Sequence, residues 1–245
     1  MNHTILPTKV GTDLRKKKQR YAIIGDIHGC FNTLQNLLLE LGSDDGYNPP
    51  NDLELISVGD LNDKGPHSIQ TLKWAMALTK SGKLHTVDSN HGRRLARRLV
   101  GECKPGGSVE KSYNKILEEK DSDIFLNEVT SYLSSLPAYI KVSDLEGKQI
   151  VVAHAAAAER LLNTKTLTQR ERNFFLGADD FKWTGNHKVV TGHVTVKEPL
   201  RIKNNFSHGH SIRIDTGVNL GNMLTAYLPD EDRFISVAAD ARDLL

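Results

Sequence analysis

Apolar residues along the chain follow two periods, and the switch between them predicts the elements. The apolar run at 21–24 and the largely apolar stretches at 53–58 and 84–87 read as short strands. After the first run, Phe31, Leu34, Leu37, Leu38 and Leu41 recur at helical spacing and predict a helix over 30–41. Ile69, Leu72, Ala75, Met76 and Leu78 do the same over 68–80. Further helices are expected over 92–100, 108–119 and 124–136, the last stopped by Pro137. Beyond it the pattern is mostly that of strands, at 139–142, 149–153, 188–191, 200–202, 212–214, 224–228 and 234–237. Residues 155–162 fit a helix or irregular backbone, and 165–181 carries no clear period. An order of βαβαβα followed by β-rich chain predicts a layered α/β sandwich in one domain, over 20–245. Residues 1–19 are polar and aperiodic, and Arg15, Lys16, Lys17, Lys18 and then Arg20 make the segment basic. A flexible tail is expected there, either a solvated lead-in or a contact for nucleic acid or an acidic partner.

What ends the strands is more informative than the strands themselves. The first run stops at Gly25 and is followed by Asp26 and His28; the second is followed by Asp60, the third by Asn90 and His91, and two later ones by His154 and His193. Strand ends converge on one edge of an α/β sheet, where ligands bind. Each residue alone reads as a helix cap or a structural histidine, but together they form a donor set for metal. Asp26, His28 and Asp60 make a first site. Asp60, Asn90, His154 and His193 make a second, with Asp60 shared. A shared carboxylate can hold two dications roughly 3.5–4 Å apart against their repulsion. Nitrogen and oxygen donors without thiolate favour Mn, Fe, Ni or Zn.

Composition adds limits rather than a partner. Lys plus Arg at 32 against Asp plus Glu at 30 gives a net charge of +2, so bulk charge names no class of ligand. Ten histidines fit metal or acid–base chemistry, and two cysteines make no disulfide framework. The sequence holds no apolar run of membrane-spanning length, so no membrane partner and a cytoplasmic location are expected.

The motifs GDIHG (25–29), GDLNDKG (59–65), SNH (89–91), VVAHA (151–155), TGHV (191–194) and IDTG (214–217) resemble the calcineurin-like metallophosphoesterases. GDIHGCF, the late DTG and the strand after it look most like one branch. That branch holds lambda-phage-type and bacterial PPP-like phosphatases, diadenosine tetraphosphatases and the phosphatase module of bacterial polynucleotide kinase-phosphatase. NHGRRLARRLVGE and YLSSLPAYIKV are most similar to the last of these. The resemblance implies two mixed β-sheets packed as a sandwich and flanked by helices, a four-layer αββα fold. It implies the metal ligands above, two divalent ions (manganese first, with iron, nickel or zinc also fitting), and a metal-activated hydroxide as nucleophile. His91 becomes the general acid, oriented by Asp63, and Asp215 lies behind the metals. Lys64, Arg93 and one of Arg170 and Arg172 become contacts for substrate phosphate.

Some positions depart from the family pattern. Lys64 stands where Arg is usual, Gly92 follows His91 where an acid is usual, and Val218 follows the DTG where Cys is usual. These bear on substrate recognition more than on metal. Arg93, Arg94, Arg97 and Arg98 pair at i,i+4 and form a basic strip, which reads either as a phosphate or nucleic-acid contact or as a solvated face. The expected activity is phosphomonoester hydrolysis by a serine/threonine-phosphatase-like enzyme. RNA 2′,3′-end processing and dinucleoside tetraphosphate hydrolysis are the alternatives, so a phosphoprotein, an RNA end or a nucleotide is the expected substrate. A nucleic-acid-binding or scaffold protein with structural metal is the non-enzymatic alternative.

Overall fold

A computed structural model describes residues 9–15, 19–179, 181–203 and 209–244. Two mixed sheets carry the fold. In the first, β2 (Arg20–Ile24), β3 (Leu53–Ser57) and β4 (Leu84–Thr86) run parallel. Strands β10 (Met223–Leu228) and β11 (Arg233–Ala238) extend it antiparallel from β2. The second is six-stranded, in the order β1-β5-β6-β7-β9-β8, from β1 (Gly11–Asp13), β5 (Tyr139–Ser143), β6 (Gln149–Ala153), β7 (Lys188–Thr191), β8 (Leu200–Lys203) and β9 (His210–Arg213).

Strand alternation assigns the layers. Tyr21, Ile23, Ile56 and Val58 meet Ile140, Val142, Ile150 and Val152 between the sheets. The alternate positions Ala22, Ile24, Leu53 and Leu55 face α1 (Phe31–Glu40), α2 (Ser68–Lys80) and the three helices α3 (Asn90–Leu99), α4 (Val109–Leu117) and α5 (Ser122–Ser135). Val151, Ala153 and Val189 pack outward on Leu161, Trp183 and Phe175 of α6 (Gln169–Gly177). The αββα order expected from the motifs is therefore present. Strands β2 and β3 are buried on both faces from Tyr21 onward, so that β3 buries even Glu54 and Ser57.

The N-terminal segment differs from the expected loose tail. Gly11–Asp13 pairs parallel with β5, from Gly11 opposite Tyr139 to Asp13 opposite Lys141. Arg15 is held by Asp13 at 2.6 Å, and Arg20 by Asp52 and Glu231. This edge strand is made by backbone pairing, which needs no apolar period, so pattern alone does not show it. Lys16, Lys17 and Lys18 lie outside the described residues. No helix among the described residues is long and apolar enough to cross a membrane.

Helix α1 carries no cap from its own N-cap residue, Cys30. Asp243 supplies one from the far end of the chain. Its Oδ1 accepts from the Asn32 backbone N–H and side-chain amide, at 3.3 and 2.8 Å; its Oδ2 accepts from the Thr33 N–H and hydroxyl, both at 2.7 Å. Asp243→Ala is expected to cost about 1–2 kcal/mol, the range of a lost cap, read as a lower denaturant midpoint with an unchanged slope. An unchanged midpoint would show that the cap is dispensable.

Candidate metal centre

The parallel strands of both sheets end on one edge, and their loops carry the site. Asp26 and His28 follow β2, Asp60 follows β3, Asn90 opens α3 beyond β4, His154 follows β6 and His193 follows β7. The turns are tight. His28, Asp60, Asp63, Lys64 and His193 all have positive φ, between 41° and 71°, costing of order 1–3 kcal/mol apiece. Cross-loop hydrogen bonds hold them there: the Ile27 and His28 N–H groups donate to the Asp60 carbonyl, and the Gly65 N–H to the His28 carbonyl. Gly192 shows how closely the loops approach, since a Cβ there would lie 1.8 Å from Asp26 Oδ1.

Asp60 sits at the centre. Its Oδ2 is 3.5 Å from His28 Nε2 and 3.6 Å from His154 Nε2. Two donor groups have all their ligand atoms within 4.8 Å of one another: His28, Asp60 and His91, and Asp26, Asp60 and His154. Asp60 belongs to both, as a bridging carboxylate should. The grouping differs from the expected one, because Asp26 stands with His154, and His91 stands with His28. Asn90 Oδ1 lies 2.8 Å from His154 Nε2. His193 reaches the group through its ring, 5.0 Å from that of His154, and its backbone N–H donates to Asp26 Oδ2 at 3.0 Å. Five of the six expected ligands therefore bring polar atoms into one cluster, and His193 adjoins it with its Nε2 3.3 Å from Asp179 Oδ1.

The donors fit a cation. His28 Nδ1 pairs with the Asn62 carbonyl at 3.1 Å and His154 Nδ1 with the Val58 carbonyl at 2.8 Å. Those carbonyls accept, so Nδ1 carries the proton and each Nε2 lone pair faces the centre. Burial pushes His28 down to about 4 and also lowers His154, so both rings are neutral at pH 7. Burial works to raise Asp60, but the imidazoles of His154, His28 and His91 outweigh it and hold the carboxyl well below its usual range. Asp26 is raised well above the ordinary range by burial and by the charges of Asp215 and Asp60. Its Oδ1 is buried without a hydrogen-bond partner among the described residues. An unpartnered carboxylate oxygen between two other carboxylates is what a bound dication would satisfy.

That imbalance predicts a pH effect. In metal-stripped protein, folded Asp26 holds a proton that the unfolded chain gives up near its ordinary pKa of 3.8. Stability therefore falls as pH rises above that value toward the folded pKa. Asp26→Asn removes the effect. With chelator present, the variant is expected to unfold at higher denaturant than the parent at pH 8 and to match it near pH 4. Saturating metal should reverse the order at pH 8.

His91 is set apart from the other imidazoles. Its Nδ1–H donates to Asp63 Oδ2 at 2.8 Å. Burial works to lower it, but the Asp63 hydrogen bond and the Asp60 and Asp63 charges overcome this and raise its pKa. Asp63 is itself fixed by two hydroxyls, from Ser112 of α4 at 2.7 Å and from Ser108 just before that helix at 3.4 Å. Sequence reasoning misses these serines, because no motif ties α4 to the site. Asp215 accepts from Thr195 Oγ1 at 2.9 Å and from the Gly217 N–H, and it touches the centre through its charge on Asp26. Lys64 brings its Nζ to 2.9 Å from His28 Nε2.

The arginines separate into roles. Arg93 forks onto the buried Asp88, and Arg98 onto Glu110 while stacking 3.7 Å above the Tyr113 ring. The strip is thus not a continuous free basic face, because acids outside the helix neutralise part of it. Arg172 is lowered by burial and by the charge of Arg93, which places it beside that pair, whereas Arg170 is exposed. Two positions apart on a helix are about 200° apart, so α6 can turn only one of them inward.

A profile of the calcineurin-like phosphoesterases matches residues 19–218. The chain belongs to that family. It is therefore a phosphoesterase hydrolase, and the family centre is a pair of divalent metals. Among its relatives, the bis(5′-nucleosyl)-tetraphosphatase PrpE [asymmetrical] of Oceanobacillus iheyensis is 32% identical over 240 residues, covering 89% of this chain and 91% of the relative. The protein of the same name from Bacillus subtilis is 31% identical, covering 89% and 93%. Solved structures below 25% identity share the fold. A provisionally assigned diadenosine tetraphosphatase gives a TM-score of 0.62 at 23% identity, over 95% of this chain and 99% of that one. A serine/threonine phosphatase of Saccharomyces cerevisiae gives 0.59 at 14%, over 96% and 84%.

Proposed function

We propose that this phosphoesterase cleaves dinucleoside tetraphosphates asymmetrically, to a nucleoside monophosphate and a nucleoside triphosphate. The observation that carries the reading is near-full-length similarity to relatives of that name at 31–32% identity. The serine/threonine-phosphatase reading gives way to the alternative, since its support is a shared fold at 14% identity. A cytoplasmic location is kept as part of the proposal.

Asp26, His28, Asp60, Asn90, His154 and His193 would hold two divalent cations, manganese being the proposed pair. When bound, they supply charge opposite the phosphoryl oxygens and acidify water for attack. The remaining work falls to the chain. Lys64, exposed at the mouth, and Arg93, fixed by Asp88, orient phosphate oxygens. His91 holds a proton because Asp63 accepts its Nδ1–H, and it delivers the Nε2 proton to the leaving oxygen as the P–O bond breaks. The His193 backbone N–H holds the Asp26 carboxylate in place, and Gly192 leaves room for it.

Turnover of diadenosine tetraphosphate, a phosphothreonine peptide and an RNA 2′,3′-cyclic phosphate with manganese tests the reading. Mono- and triphosphate products at the highest kcat/KM are expected. Two diphosphates, or faster turnover of either competitor, would overturn it.

A further inference from the structure

A groove of about 320 Å³ lies between α3 and α6, beside the metal-ligand cluster at Asn90. Asn90 stands at its inner end, Arg93, Arg94 and Arg97 along one wall, and Asn173 and Leu176 along the other. Asn90 also lies 2.8 Å from His154, so one residue both lines the groove and touches the histidine–aspartate cluster. From Asn90 to Arg97 the wall runs about 10 Å along the helix axis.

Two of its arginines are placed without being consumed. The Arg94 Nη2 donates to the Gly106 carbonyl at 3.0 Å. Gly107 leaves room for that head, since a Cβ there would lie 2.8 Å from Arg94 Nη2. This uses one of five guanidinium donors and neutralises no charge. Arg97 donates to the Glu102 carbonyl and approaches its carboxylate only at 3.8 Å, with both side chains exposed; such a pair is weak. Arg93 and Arg98 have their charges balanced by Asp88 and Glu110, so Arg94 and Arg97 carry the unbalanced charge of the strip, while Arg93 keeps donors for phosphate.

We infer that this groove holds the polyphosphate chain of the departing nucleotide, with Arg94 and Arg97 as the positions that read its length. The inference rests on the proposed tetraphosphatase activity. Asymmetrical cleavage puts one phosphate on one side of the broken bond and three on the other. A row of cations leading from the metals suits that longer side, and a singly phosphorylated peptide has nothing to offer it. Leu176 and the aliphatic arginine stems give the outer part of the groove an apolar floor.

The test uses Arg94→Ala, Arg97→Ala, the double variant and the charge-keeping Arg97→Lys, all loaded with manganese. Three quantities are read: KM for diadenosine tetraphosphate, KM for nitrophenyl phosphate, and the inhibition constant of tripolyphosphate against nitrophenyl phosphate. The ratio of the first KM to the second is expected to rise about tenfold per arginine removed, with partial recovery in Arg97→Lys and a smaller effect at high salt. The tripolyphosphate constant should rise in parallel. An unchanged ratio in the double variant overturns the inference while leaving the activity intact. If the parent does not hydrolyse the tetraphosphate, the proposed activity falls. The groove is then judged by tripolyphosphate alone, and equal inhibition of parent and double variant, or none of either, overturns it.

Discussion

Asp60→Asn is expected to lower turnover of every phosphoester by at least about a thousandfold, because several kcal/mol of transition-state charge stabilisation would depend on the metals its carboxylate is proposed to hold. The side chain stands 3.5 Å from His28 and 3.6 Å from His154 and belongs to both donor groups. Metal content should fall together with activity, from about two ions per chain to one or fewer. Asparagine is the useful substitute. It tolerates the left-handed backbone at this position, φ 41°, and can still accept the His91 N–H that Asp60 Oδ1 accepts at 3.2 Å. The metal-free variant should therefore fold, and a melting curve near that of the metal-free parent separates loss of chemistry from loss of structure. Two ions retained by the variant would show that the metals do not share this carboxylate.

The second large effect belongs to His91 and depends on the leaving group. Replacing His91 by Ala is expected to cost about 10²–10⁴ in kcat with an alkyl phosphate, where the departing oxygen needs a proton. Nitrophenyl phosphate, whose oxygen leaves as a stable anion, should lose less than tenfold, and the tetraphosphate should fall between. Asp63→Asn keeps the imidazole but removes the partner that raises its pKa. The alkaline limb of the kcat profile should then move to lower pH, since the acid loses its proton sooner. Equal losses on all three substrates would indicate that His91 serves position or metal binding rather than proton transfer.

The centre was the most legible part of the molecule, for a physical reason. A metal needs hard and imidazole donors, and the fold can supply them only where apolar strands stop. Asp26, Asp60, Asn90, His154 and His193 therefore stand out against the runs before them. Strand β6 and helix α2 also agree with the apolar pattern to the residue, since a continuous apolar run marks the strand and an amphipathic period the helix. Elements made by other forces were hidden. Strand β1 is backbone pairing alone. Helix α6 has a weak apolar period, yet its start is written in Thr168 and Glu171, which form a capping box. Which arginines remain available could not be read at all, because Asp88 and Glu110 reach the α3 strip from outside the helix. Substrate was the least legible feature. Metal-type donors mark the reaction class, whereas the groove beside them lies between two helices that sequence spacing does not bring together.

Asp243 reaches back 211 positions to complete the start of α1, the helix that follows the Asp26–His28 turn. On a ribosome these two parts appear at opposite ends of synthesis. The first metal ligands emerge early, beside a helix whose leading N–H groups still face water. Their proper setting arrives only once the last turn of the domain is made. A chain interrupted before that point would carry most of the ligands and lack the brace behind the first of them.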